Sequence, residues 1–271
     1  MQSIGNRTCT MTNDDPGFPQ LIFQAAIGKQ KPFTMRAQGP VSVCPFCDRN
    51  QLPSVIREDG DILLAPNKYP ILLGSDPFVL IETHECESEL SLYTEDRLLR
   101  VFRMGFGAWR EMTASGAYRS VLFIKNHGPL SGGSLRHPHM QLIGLYDIDY
   151  RIHIRHEDFY GPVIWQGDGA QLTVSDHPRV GFAEFNAILT DEKAFTLFCS
   201  MIQKAVRYTL GQYHDGGISS YNLFFYALDG ITYCKIMPRG ATTPIYMGYA
   251  IPQVSDDLES VAEACRTLYF P

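Results

Sequence analysis

Leu98, Phe102, Phe106, Trp109 and Met112 recur at three- to four-residue spacing, the period that gathers apolar side chains on one face of an α-helix. Thr94 stands before this run as a cap, and Glu95 and Asp96 fall where the helix dipole is positive. A second stripe, Phe198, Ile202, Ala205 and Thr209, follows Thr190-Asp191-Glu192 and predicts another helix of the same kind. Apolar segments predict strands at 120–125, 171–174, 185–189, 222–227 and 231–237. The acidic run Asp256-Asp257-Leu258-Glu259 opens a terminal helix ending near Leu268.

These elements fall into two series, near 61–146 and 171–249, each running hairpin, amphipathic helix, paired strands. The repetition predicts an α+β fold in which an internal duplication builds an antiparallel sheet with helices packed on it, as units 1–150 and 151–271. Where the first series carries paired histidines, the second offers Thr232, Tyr233, Cys234 and Lys235.

That histidine stretch, His137-Pro138-His139-Met140-Gln141, is where the chemistry concentrates. In an extended segment, side chains two apart share a face, so His137, His139 and Gln141 project together. A neutral imidazole attacks phosphorus and leaves again readily, splitting one transfer into two displacements; His139 suits that role. The preceding Ser131-Gly132-Gly133-Ser134 permits close backbone approach and offers donors to phosphate oxygens. Gln141 adds an amide donor, and Arg136 a further phosphate contact.

Cys44-Pro45-Phe46-Cys47 has the two-residue spacing that lets two thiolates reach one tetrahedral ion. Of the seven cysteines, Cys9, Cys86, Cys199, Cys234 and Cys265 have no such close partner, so histidines are expected to complete the shell, His84 and His137 being the best placed. The same spacing also fits a redox dithiol or an unligated turn.

In order along the chain, Cys44-Pro-Phe-Cys47, Pro66-Asn67-Lys68-Tyr69-Pro70, His84 with Glu89-Leu90, Asn126, and Ser134 to Gln141 resemble the galactose-1-phosphate uridylyltransferases of the histidine triad superfamily. The resemblance covers roughly residues 21–145 and extends more weakly to 249. It implies tandem histidine-triad-like units, the second of them degenerate. It also implies Cys44, Cys47, His84 and His137 as Zn2+ ligands and His139 as the nucleotidylated nucleophile. Gln141 and Ser134 would be phosphate contacts, and Asn67 and Asn126 would line the nucleotide site beside Gly133. Glutamine at the third motif position resembles the transferase and phosphorylase branch, whereas histidine marks hydrolases. Arg136 and Met140 depart from the usual proline and glycine. The cations nearest before the paired cysteines are Lys29, Lys31 and Arg36. The Arg239 to Tyr249 region resembles a nucleotide-contacting segment that reaches a neighbouring subunit, with Arg239, Tyr246 and Gln253 as candidate contacts, and the same resemblance implies a homodimer.

Composition narrows the classes. A net charge of −6 and pI near 5.7 argue against nonspecific nucleic-acid binding, so a phosphorylated substrate must be drawn by local cations such as Lys125, His127 and Arg136. No apolar run is long enough to span a bilayer. The polar start, 1–15, lacks the apolar core of a secretory signal, and the odd cysteine count argues against a disulfide scaffold; both point to the cytoplasm. The expected function is transfer of a nucleoside monophosphate from a nucleotide sugar or dinucleotide to a sugar 1-phosphate or phosphate. The alternatives are a phosphorylase of ADP-sugars or dinucleoside polyphosphates and a noncatalytic zinc-containing nucleotide-binding protein.

Overall fold

In the computed structural model of the chain, residues 20–35, 44–52 and 54–271 are described; the polar segment 1–15, with Cys9, and Arg36 lie outside them. Thr94 caps helix α2 (Glu95–Ala114) as expected, its hydroxyl accepting from Arg97 N, and Leu98, Phe102, Phe106 and Trp109 are buried. A short helix, α1 (Ala25–Gly28), precedes it. The second amphipathic stripe forms α3 (Phe195–Gly211), entered through a single 3-10 turn, Glu192–Ala194, that Asp191 caps. Two further helices, α4 (Pro244–Tyr249) and α5 (Leu258–Tyr269), follow.

The first series supplies strands β1 (Arg57–Asp59), β2 (Ile62–Pro66), β3 (Ser75–Ile81), β4 (Ser120–His127) and β5 (His139–Leu145). The second supplies β6 (Val163–Gly167), β7 (Ala170–Val174), β9 (Phe185–Leu189), β10 (Tyr221–Leu228) and β11 (Ile231–Pro238). Two-residue strands β8 (Gly181–Phe182) and β12 (Gln253–Val254) pair by themselves in parallel.

All ten longer strands join one antiparallel sheet in the order β1-β2-β3-β5-β4-β10-β11-β9-β7-β6. Read outward from the β4–β10 seam, both halves repeat one connection pattern, so the sheet carries the pseudo-symmetry of the duplicated sequence. Thr232 faces Leu189 across β11 and β9 as His139 faces Ile81 across β5 and β3, which puts a threonine at the position corresponding to the histidine.

Strand alternation sorts the side chains. Met140 and Leu142 of β5, Phe123 of β4 and Phe225 of β10 pack under α2 and α3 in the main core, where Phe106 meets Phe123 edge-on at 5.5 Å. His139 and Gln141 therefore project from the other face. No helix among the described residues is long and apolar enough to cross a membrane.

Candidate active site and metal centre

Three segments converge where β5 begins. Residues 31–35 run beside the small-residue loop, with Thr34 N and Met35 N donating to the Ser134 carbonyl oxygen. The Cys44–Cys47 turn closes with Cys47 N donating to Cys44 O at 3.1 Å and presents Phe46 edge-on to His139, 5.2 Å between ring centres. The loop after β2 is held by Asn67, whose Oδ1 accepts from Tyr69 N at 2.9 Å. Together they border a cleft lined by Asn67, Asn126, Gly133, Ser134, His139 and Gln141. The loop must be glycine-rich: Gly128 has φ +83° and a Cβ there would lie 2.2 Å from Ser219 O, while a Cβ on Gly133 would lie 3.2 Å from Asn126 Cβ.

The His139 ring is buried and its Nδ1–H donates to the His137 carbonyl oxygen at 2.8 Å, which leaves Nε2 with the free lone pair. Burial holds the imidazole down at about 4, helped by the positive charges of Lys125 and Lys31 and opposed by the bond to the His137 carbonyl. The ring is therefore neutral at pH 7, the state a nucleophile needs.

His137 serves a different purpose. Its Nε2–H donates to Thr83 O at 2.8 Å, so Nδ1 carries the lone pair, and that atom lies 3.6 Å from Cys44 Sγ and 3.5 Å from Cys47 Sγ. Thiolate and imidazole ligands on one tetrahedral ion stand roughly 3.5 Å apart. Cys86 completes the group, the ligand atoms of Cys44, Cys47, Cys86 and His137 all lying within 4.8 Å of one another. Burial and the neighbouring Cys44 push the Cys86 thiol up to about 12 and hold Cys47 above its ordinary value, whereas at Cys44 the opposing bonds from His137 and the Phe46 amide outweigh burial and bring it to about 7. Three crowded thiols cannot ionise together without a cation. A soft divalent ion fits this donor set, and the second-shell bond to Thr83 fixes the histidine tautomer such an ion requires.

His84, expected as the fourth ligand, is elsewhere. Its ring is exposed and Nδ1 lies 2.8 Å from Asp61 Oδ2, a carboxylate also gripped by Arg97. The reason is local: after β3, Thr83 Oγ1 accepts from Glu85 N at 3.1 Å, and the resulting turn points residue 84 outward and brings residue 86 back. The signal for Cys86 was a thiol two residues past the expected histidine, which close-pair spacing overlooked.

Two expected cations also move. Arg136 is exposed and paired with Glu87 rather than aimed into the cleft. Lys125 is fully buried on the helix side of the sheet, paired with Glu82, whose other oxygen accepts from Tyr93 OH at 2.8 Å. Lys31 and Lys68 line the cleft instead, and burial lowers Lys31 below the usual lysine value.

The chain matches the model of the family described as Domain of unknown function (DUF4931), its N-terminal domain over residues 23–148 and its C-terminal domain over 151–270. A crystal structure of a DUF4931 family protein from Bacillus cereus is 38% identical, with TM-score 0.74, covering 80% of this chain and all of that one. An ADP-glucose phosphorylase from Arabidopsis thaliana, solved with bound ADP-glucose, superimposes with TM-score 0.66 at 15% identity over 92% of this chain and 95% of its own. A uridylyltransferase does so with TM-score 0.64 at 17% identity, covering 88% and 96%. No curated protein sequence matches. The chain belongs to the DUF4931 family and has the fold of the galactose-1-phosphate uridylyltransferase-like proteins.

Proposed function

We propose that this DUF4931 chain is a nucleotidyltransferase that works through a covalent nucleotidyl-histidine at His139. The observation that carries the reading is the His139 imidazole itself: neutral, oriented by the His137 carbonyl, with its Nε2 lone pair free beside a loop of small residues. In the first step Nε2 attacks the α-phosphorus of a nucleotide sugar or dinucleotide. The bond from phosphorus to the bridging oxygen breaks, and that oxygen leaves with the electron pair as a phosphate ester anion. The ring becomes cationic, and its Nδ1–H bond to a carbonyl dipole stabilises that charge. In the second step an oxygen of a sugar 1-phosphate or of phosphate attacks the same phosphorus, and the N–P electron pair returns to Nε2.

Gln141 projects on the same face and offers an amide donor to the phosphoryl oxygens. An amide cannot deliver water as a general base does, which favours transfer over hydrolysis. Ser134 and Gly133 supply donors from the loop, Asn67 and Asn126 flank the nucleotide, and Lys31 provides the cation that Arg136 does not. Cys44, Cys47, Cys86 and His137 would hold Zn2+ in a closed four-ligand shell; its contribution there is structural, pinning the turn that carries Phe46 to the strand that carries His139. Three reduced thiols in one centre fit a cytoplasmic setting, and a homodimer belongs to the same reading.

A second reading, phosphorolysis of an ADP-sugar, is favoured by the fold shared with the ADP-glucose phosphorylase. One experiment tests both. Intact mass is measured after brief incubation with UDP-sugars, ADP-sugars and dinucleoside polyphosphates under conditions that preserve phosphoramidates. A gain of one nucleoside monophosphate, absent in His139→Ala, is the expected result, and its mass names the base. Discharge of the adduct by phosphate but not by sugar 1-phosphates selects the phosphorylase. Nucleotide binding without an adduct from any donor overturns catalysis and leaves a nucleotide-binding protein.

A further inference from the structure

Asn126 and Asn222 are direct partners across the β4–β10 seam that joins the two halves. Asn222 Nδ2 donates to Asn126 Oδ1 at 2.6 Å and to the Ser131 carbonyl oxygen at 2.9 Å, while Arg239 Nη1 donates to Asn222 Oδ1 at 3.1 Å. Donor and acceptor inventory then fixes both amides. A guanidinium only donates, so Asn222 must turn its oxygen to Arg239 and commit both amino hydrogens to Ser131 and Asn126. Asn126 must answer with its oxygen. What it has left for the cleft it lines is its amino group, which has no hydrogen-bond partner among the described residues.

We propose that Asn222, held by Arg239, is a positioning residue that makes Asn126 a hydrogen-bond donor to the substrate, so that this corner of the cleft recognises an acceptor oxygen of the nucleotide, phosphate or carbonyl. The proposal rests on the nucleotide reading of the cleft. Asn222 is 1% exposed and cannot touch substrate itself; it acts through Asn126. It also steadies the loop, because Ser131 Oγ accepts from Gly133 N at 3.3 Å. The second half, with no histidine of its own at the corresponding position, thereby sets the hydrogen-bonding polarity of the site in the first.

Asn222→Asp tests this with little change of shape. A carboxylate at 222 keeps Arg239 as an ion-pair partner but can only accept, so Asn126 must rotate its amino group toward it and present oxygen to the cleft. With asparagine side chains labelled with 15N, the Asn126 amino protons are expected to exchange readily with water in the wild type and to become protected in Asn222→Asp. Affinities for ADP-glucose and UDP-glucose give the second readout. For the sugar nucleotide that binds, Asn222→Asp and Asn126→Ala are each expected to weaken binding about tenfold, or about 1.4 kcal/mol, and the double variant to be no weaker than Asn126→Ala. Additive losses would indicate a merely structural Asn222 and overturn the proposal. Arg239→Met, which removes one of the two groups that orient the Asn222 amide and leaves the Ser131 carbonyl as the other, is expected to give only partial protection and about a threefold loss. Unchanged amino-proton exchange in both variants overturns the relay. Protection without any nucleotide binding supports the relay and overturns the nucleotide reading alone.

Discussion

The Nδ1–H of His139 donates to the carbonyl oxygen of His137 at 2.8 Å, while the His137 ring, two residues back along the chain, turns its own Nδ1 into the cysteine cluster. One residue thus links the two parts of the site: its side chain joins the cluster that would hold a metal ion, and its backbone sets the tautomer of His139, the proposed nucleophile. Anything that loosens the cluster is expected to reach His139 through this bond.

The ligand set separates by substitution. Cys86→Ser is expected to abolish stoichiometric zinc and to lower the melting temperature by roughly 10 °C or more, since a structural zinc contributes many kcal/mol to folding. His84→Ala is expected to retain full zinc content. Metal analysis of the purified variants checks this, and the opposite pattern would restore His84 as the ligand.

For Gln141→His, a gain of hydrolytic leakage is expected, because an imidazole beside the phosphoryl group can deliver water where an amide cannot. The ratio of free nucleoside monophosphate to transferred product, at saturating acceptor, measures it. An unchanged ratio would remove Gln141 from the phosphoryl contact.

His127 stacks on Tyr221 with ring centres 5.0 Å apart, and burial, reinforced by Lys125 and Arg136, holds its pKa down at about 4. In the unfolded chain it titrates near the ordinary histidine value of roughly 6.5. Between those two values the unfolded state binds the extra proton, so stability falls as the pH drops from about 7 to 4. At the lower end the loss from this group is on the order of 3 kcal/mol. His127→Gln has no such proton to bind. The stability difference between wild type and variant, from urea midpoints at pH 7 and pH 4.5, is expected to shift in favour of the variant at the lower pH.

Lys125 and Glu82 form an ion pair with side-chain exposures of 1% and 0% beneath the strand that carries the motif. Lys125→Met leaves Glu82 charged and unpaired in the core and is expected to cost about 3–5 kcal/mol. Lys125→Met with Glu82→Gln is expected to recover most of that. Urea denaturation of the single and double variants decides it; a single substitution no worse than the double would mean that the pair is solvated.

Local patterns carried much of the fold. The period of Leu98, Phe102, Phe106 and Trp109, with Thr94 before it, determined α2 and its cap because helix geometry depends only on neighbours within a turn or two. The parity of β5 likewise determined that His139 and Gln141 share a face opposite Met140. Parity also held an unused signal: Lys125 shares the face of Val121 and Phe123, so its place in the core was legible.

Tertiary structure decided what depends on chain segments meeting from a distance. Cys86 rather than His84 reaches Cys44, Cys47 and His137 because a hydroxyl-capped turn at Thr83 reverses which side chain points inward. Arg136 turns away because Glu87 stands beside it. Asn222 meets Asn126, 96 residues away along the chain, only because β10 pairs with β4. Spacing along a chain determines which side chains share a face; which of them share a centre depends on strand pairing and on turns whose direction a single hydrogen bond can reverse.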